Sequence, residues 1–110
     1  MWQRDGKGAG KSMKWQEAID YCNNLDYGGH SDWRLPNKEE LKALADIGGN
    51  RPSEYFNGQG FKNVQSSYYW SSTTYADFMY DAWSVLFYNG YVYNSNKTNS
   101  YYARCVRAGQ

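Results

Sequence analysis

The stretch at residues 32–37 constrains the fold most, because it separates two helical patterns that could otherwise join. Trp33 and Leu35 alternate with polar residues, so a short extended segment should bury both apolar side chains. The proline after Leu35 cannot lie inside a helix, and it biases the residue before it toward an extended backbone. Asn37 should begin a helix, because Glu40 follows three residues later in the pattern of a capping box.

The length and charge of the chain narrow the classes of protein to consider. A chain of 110 residues is the size of one domain, so residues 1–110 are predicted to form a single unit. The formal net charge of +1 gives no reason to expect a nucleic acid as a partner. No apolar run approaches the roughly 18 residues of a membrane span, which predicts no membrane insertion. Charged residues and glycines follow Met1, so an export signal would lie on a longer parent or have been removed.

The two cysteines leave two interpretations open. Two free thiols would suit a cytosolic protein, but the positions of Cys22 in the first predicted helix and Cys105 in the last predicted strand favour a disulfide. Such a bridge would close nearly the whole chain into one loop, worth about 4 kcal/mol, and would place the protein in an oxidising compartment. No metal site or cofactor is predicted, since His30 is the only histidine available as a further ligand.

Apolar residues at helical spacing predict two helices, one over residues 13–25 and one over residues 38–47. Residues 53–68 are predicted to be a loop. Alternating patterns then predict strands at residues 69–74, 82–88, 91–93 and 101–107, with a polar loop at residues 94–100. Asn89 and Gly90 predict a type I′ turn between two of these strands. Helices early and antiparallel strands late predict an α+β fold, with two helices packed on a small antiparallel sheet and long loops.

Four motifs occur together, in order, along nearly the whole chain. They are Trp15-Gln16-Glu17-Ala18 with Tyr21-Cys22, Ser31-Asp32-Trp33-Arg34-Leu35-Pro36, Tyr69-Trp70-Ser71-Ser72, and Arg104-Cys105-Val106-Arg107. In this combination the chain resembles the C-terminal domain of bacterial collagen-like adhesins. The resemblance implies a C-type lectin-like fold, in which a cysteine of the first helix pairs with one in the last strand and the chain ends meet in one ladder. It also implies an extracytoplasmic module, on the cell surface or secreted, and adhesins of this family bind sulfated glycans.

Two departures limit what the resemblance implies about the ligand. The calcium-dependent sugar sites of true C-type lectins use a Glu-Pro-Asn or Gln-Pro-Asp loop and a Trp-Asn-Asp strand, and the chain has neither. Calcium-dependent sugar binding is therefore not predicted. Binding of sulfated glycans needs a basic surface, and 12 basic residues against 11 acidic ones supply only a weak general argument for it.

The tyrosines indicate where a ligand could bind. Most of the 12 tyrosines follow residue 67, where they alternate with Asn, Ser and Asp. Tyrosine favours strands, so some of these side chains should simply pack the sheet. The composition as a whole is typical of a recognition surface, where Tyr supplies contact area and Ser and Asn supply adaptable hydrogen bonds. The predicted ligand-binding residues are Tyr75, Asp77, Tyr80, Tyr88, Tyr91, Tyr93, Asn94 and Asn96. They predict a glycan or protein ligand, bound by shape and aromatic stacking.

Three alternatives remain beside this hypothesis. The Tyr, Asn, Ser and Asp enrichment also resembles that of retroelement-diversified variable proteins, which share the fold and would bind a protein ligand. Formylglycine-generating oxidases have a related fold, but they depend on cysteines near the C-terminus and this chain has only Cys105 there. The chain is therefore not predicted to be an enzyme. A module that caps or trimerises a longer surface protein is the third alternative, for which a homotrimer is expected.

Overall fold

The computed structural model describes residues 1–5 and 8–108, and it confirms the α+β class. In this part of the chain, three helices precede a three-stranded antiparallel sheet of order β1-β2-β3. The helices are α1 (Trp15–Asn23), α2 (Lys38–Ile47) and α3 (Pro52–Asn57), and the strands are β1 (Tyr68–Thr74), β2 (Asp81–Leu86) and β3 (Val92–Asn96). The more specific C-type lectin-like topology stays a prediction.

The segment at residues 32–37 adopts the predicted conformation. Trp33 and Leu35 are each 3% exposed, whereas the polar residues between and before them face solvent. Asn37 caps α2, because its side chain accepts the Glu40 N–H at 2.8 Å while the Glu40 carboxylate accepts the Asn37 N–H at 2.9 Å. This reciprocal pair satisfies two backbone donors that a helix start otherwise leaves free. The boundaries of α2 therefore match the prediction.

The first helix is shorter than predicted, since it begins at Trp15 instead of residue 13 and ends at Asn23 instead of residue 25. Met13 is held in an extended bridge, where its backbone exchanges two hydrogen bonds with Tyr101, at 2.7 and 2.9 Å. Its carbonyl also accepts the indole N–H of Trp70 at 2.9 Å. These long-range bonds prevent residue 13 from taking a helical conformation.

The prediction of only two helices is wrong, because residues 52–57 form α3 inside the predicted loop. Pro52 lies in the first turn of this helix, where a proline costs no hydrogen bond and presets the backbone. Phe56 of α3 is 4% exposed and packs against Phe61 and Phe87, which anchors this short helix to the core.

The hairpin between β2 and β3 forms, but the predicted type I′ turn does not. Gly90 has a positive φ of 81°, whereas a type I′ turn would need a positive φ at Asn89 as well. The connection is longer: Gly90 N–H donates to the Leu86 carbonyl at 2.7 Å, and Tyr91 O accepts from Leu86 at 2.8 Å. Phe87 is buried in the core, and its carbonyl accepts the Ser53 N–H, so it leaves the ladder. As a result β3 runs on to Asn96, through residues predicted to be loop.

The C-terminal segment does not form the predicted strand at residues 101–107. It makes isolated bridges with several different segments, such as Tyr101 with Met13 and Val106 with both Trp2 and Arg34. The predicted disulfide is present between Cys22 and Cys105, with both residues fully buried and their Cα atoms 5.4 Å apart. The Trp2 bridge brings the two chain ends together, as the resemblance implied.

Two hydrophobic clusters fill the two faces of the sheet. The α2-side cluster comprises Leu41, Leu44, Ala45, Phe56, Phe61, Val64, Tyr69, Val85 and Phe87. The α1-side cluster comprises Ala18, Cys22, Trp33, Leu35, Trp70, Ala82, Ala103 and Cys105. Because consecutive residues of a strand point to opposite faces, Tyr69 and Trp70 of β1 each enter a different cluster. Residues 76–80 of the β1–β2 connection are all exposed, so this end of the sheet is accessible to solvent.

We expect acid to destabilise the fold through Glu40. The Arg34 guanidinium donates two hydrogen bonds of 2.7 Å to this carboxylate, which lowers the pKa of Glu40 below its usual 4.5. A carboxyl with a lowered folded-state pKa stabilises the protein above pH 4.5, and that contribution is lost as the pH falls further. Urea unfolding measured from pH 7 to pH 3 should therefore show that the Glu40→Gln variant loses less stability on acidification than the wild type does. The glutamine keeps the capping box, so identical pH slopes in the two proteins would contradict the prediction.

Candidate functional site

The structure distributes the predicted ligand-binding residues over two ends and two faces of the sheet. Tyr75, Asp77 and Tyr80 lie in the β1–β2 connection, and Asn96 lies at the same end because it pairs with Asp81. Asn94 lies next to this end on β3. The other three predicted residues are elsewhere: Tyr88 and Tyr91 lie at the opposite end of the sheet, and Tyr93 points to the α1-side face, where it packs on Tyr68. The eight residues therefore do not form one continuous surface.

One compact group of polar and aromatic side chains lies at the β1–β2 end, and we call it the Trp83 surface. It comprises Lys38, Tyr75, Asp81, Trp83 and Asn94. The ammonium of Lys38 lies 4.3 Å from the centre of the Trp83 ring, and Tyr75 contacts the same ring edge-on at 5.0 Å. Asn94 is directly opposite Trp83 in the ladder, and its amide donates to the Asp81 carboxylate at 2.9 Å.

The position of Lys38 in this group follows from the start of α2. Its backbone N–H donates to the Thr73 hydroxyl at 3.0 Å, which ties the first turn of the helix to the end of β1. The helix start thus places the side chain over Trp83, where a cation is attracted to the negative face of the ring. Glu39 lies 4.0 Å from the same ammonium, at the outer limit of an ion pair.

A second lysine, Lys97, is anchored to Thr74, the residue of β1 that follows Thr73. Lys97 donates from its ammonium to the Thr74 hydroxyl at 3.0 Å and lies 4.0 Å from the centre of the Trp15 ring. No carboxylate lies within ion-pair distance of Lys97 in the part of the chain that the structure describes. The β1–β2 end therefore carries two lysines whose ammonium groups lie over tryptophan rings. A threonine hydroxyl accepts from the backbone N–H of Lys38 and from the ammonium of Lys97.

The β1–β2 connection presents three consecutive apolar side chains to solvent, which we call the apolar turn. Phe78, Met79 and Tyr80 are 51%, 70% and 63% exposed. Backbone hydrogen bonds hold this turn, since Asp81 N–H donates to the Phe78 carbonyl at 3.0 Å and Lys97 N–H donates to the Tyr80 carbonyl at 2.9 Å. The exposed side chains are therefore displayed by an ordered turn of defined shape.

The sequence did not indicate the most informative residues of this end. Trp83 falls within the strand predicted at residues 82–88, and neither it nor Lys38 nor Lys97 is among the predicted ligand-binding residues. Each lysine contacts a tryptophan far from it in the sequence, so no local pattern could pair them. The apolar turn had a signal, because Phe78, Met79 and Tyr80 are consecutive apolar residues between two predicted strands.

A cavity among the described residues lies apart from the Trp83 surface. This cavity of about 520 Å³ is lined by Gly8, Lys11, Ser12, Met13, Glu17 and Tyr21, and none of the predicted site residues lines it. Within residues 1–5 and 8–108, no group of three His, Cys, Asp or Glu side chains could hold a metal ion. None of the helices in these ranges is long and apolar enough to cross a membrane.

Comparison with known protein families identifies a match. The family model described as the Lcl C-terminal domain matches residues 1–107, which is nearly the whole chain. No curated protein sequence matches the chain. The match covers every helix and strand of the fold and the whole of the Trp83 surface.

Proposed function

Because the chain belongs to the Lcl C-terminal domain family, we propose that it is a ligand-binding, adhesin-like module of a bacterial surface or secreted protein. It recognises an acidic glycan at the β1–β2 end of the sheet. The observation that carries the proposal is the grouping there of an indole ring, a phenol ring, an amide–carboxylate pair and Lys38. A second anchored lysine, Lys97, lies at the same end of the sheet on its α1-side face.

Each part of this end suits one feature of an acidic sugar. Aromatic side chains such as Tyr75 and Tyr80 offer apolar faces for the C–H surfaces of a sugar ring. The Asp81 carboxylate and the Asn94 amide can accept and donate hydrogen bonds to hydroxyl groups. Lys97, which lacks a carboxylate partner among the described residues, can bind a sulfate or carboxylate group.

The proposal also takes the module to be non-catalytic and located outside the cytoplasm. The Cys22–Cys105 disulfide supports both points. It removes the C-terminal thiol that a formylglycine-generating reaction would require, and a structural disulfide suits an oxidising compartment. A homotrimer that caps a longer parent is a separate alternative to this proposal and stays a prediction.

A glycan array tests the proposal. Binding to sulfated or carboxylated glycans should be independent of calcium and should weaken with salt, because ion pairs with exposed charges are screened. Lys97→Met should weaken binding about tenfold, since a charge-assisted hydrogen bond of roughly 1.4 kcal/mol is lost. Lys42→Met is the matched control, because Lys42 contacts the Gly90 carbonyl at the opposite end of the sheet. An array without any bound glycan would refute the glycan proposal.

The apolar turn favours a protein ligand as the second candidate. The centres of protein–protein interfaces are enriched in aromatic residues and methionine, and the turn presents Phe78, Met79 and Tyr80 together. This candidate includes the retroelement-diversified receptor, for which Tyr75, Asp77 and Tyr80 would be variable positions. A protein array probed with the wild type and with Met79→Asp distinguishes the candidates. Only a protein ligand that packs on the turn should be lost with this variant.

A further inference from the structure

The outer edge of β3 is open and carries none of the usual protection against strand addition. β3 pairs with β2 on one side, and in the described residues no strand pairs with its other side. Its sequence, Val92-Tyr93-Asn94-Ser95-Asn96, contains no charge, proline or glycine. Natural proteins usually protect such an edge with a lysine, a proline or a bulge. The nearest charged residue, Lys97, is held over Trp15.

The register identifies which backbone groups face outward. Leu86 donates to Tyr91 at 2.8 Å, and hydrogen-bonded pairs alternate along an antiparallel ladder, so Tyr93 and Ser95 also bond to β2. The N–H and carbonyl groups of Val92 and Asn94 then point away from the sheet, together with the N–H of Asn96. The hydrogen bonds among the described residues include none that satisfies the outward groups of Val92 or Asn94.

We propose that this edge pairs with the same edge of a second copy of the chain. An antiparallel pair centred on Asn94 places Asn94 opposite its own copy and Val92 opposite Asn96. The two Asn94 residues then exchange two backbone hydrogen bonds, and each Asn96 N–H donates to the Val92 carbonyl of the other copy, which gives roughly four in all. The strand is self-complementary in this arrangement, because it brings no like charges together and pairs Tyr93 with Ser95 on the other face. The two sheets join into one of six strands, and the contact closes with two copies.

The pairing has a consequence for ligand binding. Paired residues of an antiparallel ladder point to the same face, so both Trp83 surfaces lie on one side of the joined sheet. A dimer would therefore present two binding surfaces side by side to a repetitive ligand, and linked sites bind more tightly than single ones. The dimer itself does not depend on the identity of the ligand.

Sedimentation equilibrium between about 1 μM and about 1 mM tests the proposal, because a contact of this small area should associate only weakly. Asn94→Pro removes the outward N–H, which β2 does not use, so it should weaken dimerisation at least about tenfold while the fold is kept. Asn94→Ala is the matched control: it loses the bond to Asp81 but keeps the N–H, and its association should stay close to that of the wild type.

A second variant keeps the test decisive if the proline disturbs the strand. Asn94→Lys retains the backbone N–H and places two lysines opposite each other at the centre of the contact, which should abolish the dimer at low salt. Circular dichroism of each variant reports whether the fold is intact. A wild-type protein that is monomeric up to 1 mM would overturn the proposal. So would a trimer, or a dimer that both the proline and the lysine variant leave unchanged.

Discussion

Replacing Cys22 and Cys105 with alanine should lower the free energy of unfolding by about 4 kcal/mol, because the disulfide closes a loop of 83 residues in the unfolded chain. Domains of this size are stable by only about 5–15 kcal/mol, so the loss is a large part of the total. The bridge joins α1 to the C-terminal segment, which forms only isolated bridges with the rest of the fold. Urea unfolding of the double variant and the oxidised wild type measures the difference.

Two controls separate the loss of the bridge from the loss of packing. The wild type under a reducing agent loses only the covalent bond, and it should approach the stability of the double variant. Reduction should be slow below the unfolding transition, since both cysteines are fully buried. A double variant within about 1 kcal/mol of the oxidised wild type would show that the constraint on the unfolded chain contributes little.

Replacing Arg104 with methionine should destabilise the protein by about 3 kcal/mol. The Arg104 side chain is 1% exposed, and its guanidinium donates to the carbonyls of Arg4, at 2.8 Å, and Lys62. Methionine fills similar space but removes hydrogen bonds from a charged donor to both carbonyls, worth about 1.5–3 kcal/mol each. The Arg4 carbonyl keeps a second donor, the Lys62 N–H at 2.7 Å, so the larger loss is at the Lys62 carbonyl. An opposing effect reduces this cost, because no carboxylate among residues 1–5 and 8–108 pairs with Arg104 and burying its charge is itself unfavourable. Thermal or urea unfolding of the variant measures the balance.

Arg51→Met is the matched control for this variant. Arg51 is exposed and pairs with Glu54 at 3.7 Å, so the same substitution there should change stability by less than about 0.5 kcal/mol. A neutral or stabilising Arg104→Met would mean that the desolvation of the charge outweighs its hydrogen bonds. Nε of Arg104 has no hydrogen-bond partner in the part of the chain that the structure describes, which adds to the unfavourable desolvation of the charge.

The hairpin explains why the candidate site was predicted only in part. A two-residue turn at Asn89 and Gly90 would have placed Trp83 opposite Asn96, whereas the longer connection places it opposite Asn94. A shift of two residues keeps every side chain on its face but changes its neighbours across the ladder. The sequence therefore identified strand residues of the right type, and the packing of Phe87 into the core determined which of them meet.

The sequence by itself determined the elements whose signals are local. The alternation around Trp33, the capping box of Asn37 with Glu40 and the helical spacing of α2 each act within a few residues, so they could be read directly. The α+β class follows from the order of these elements. The pairing of Cys22 with Cys105 was favoured by position and by the resemblance to collagen-like adhesins.

Only the tertiary structure decided the features that depend on distant contacts. Met13 leaves α1 because Tyr101 and Trp70 bind its backbone, and residues 101–107 divide their hydrogen bonds among several segments. The two lysine–tryptophan contacts at the β1–β2 end likewise join residues that are far apart in the chain. Local propensities differ by only about 1 kcal/mol per residue, so a buried side chain or a few long-range hydrogen bonds can override them.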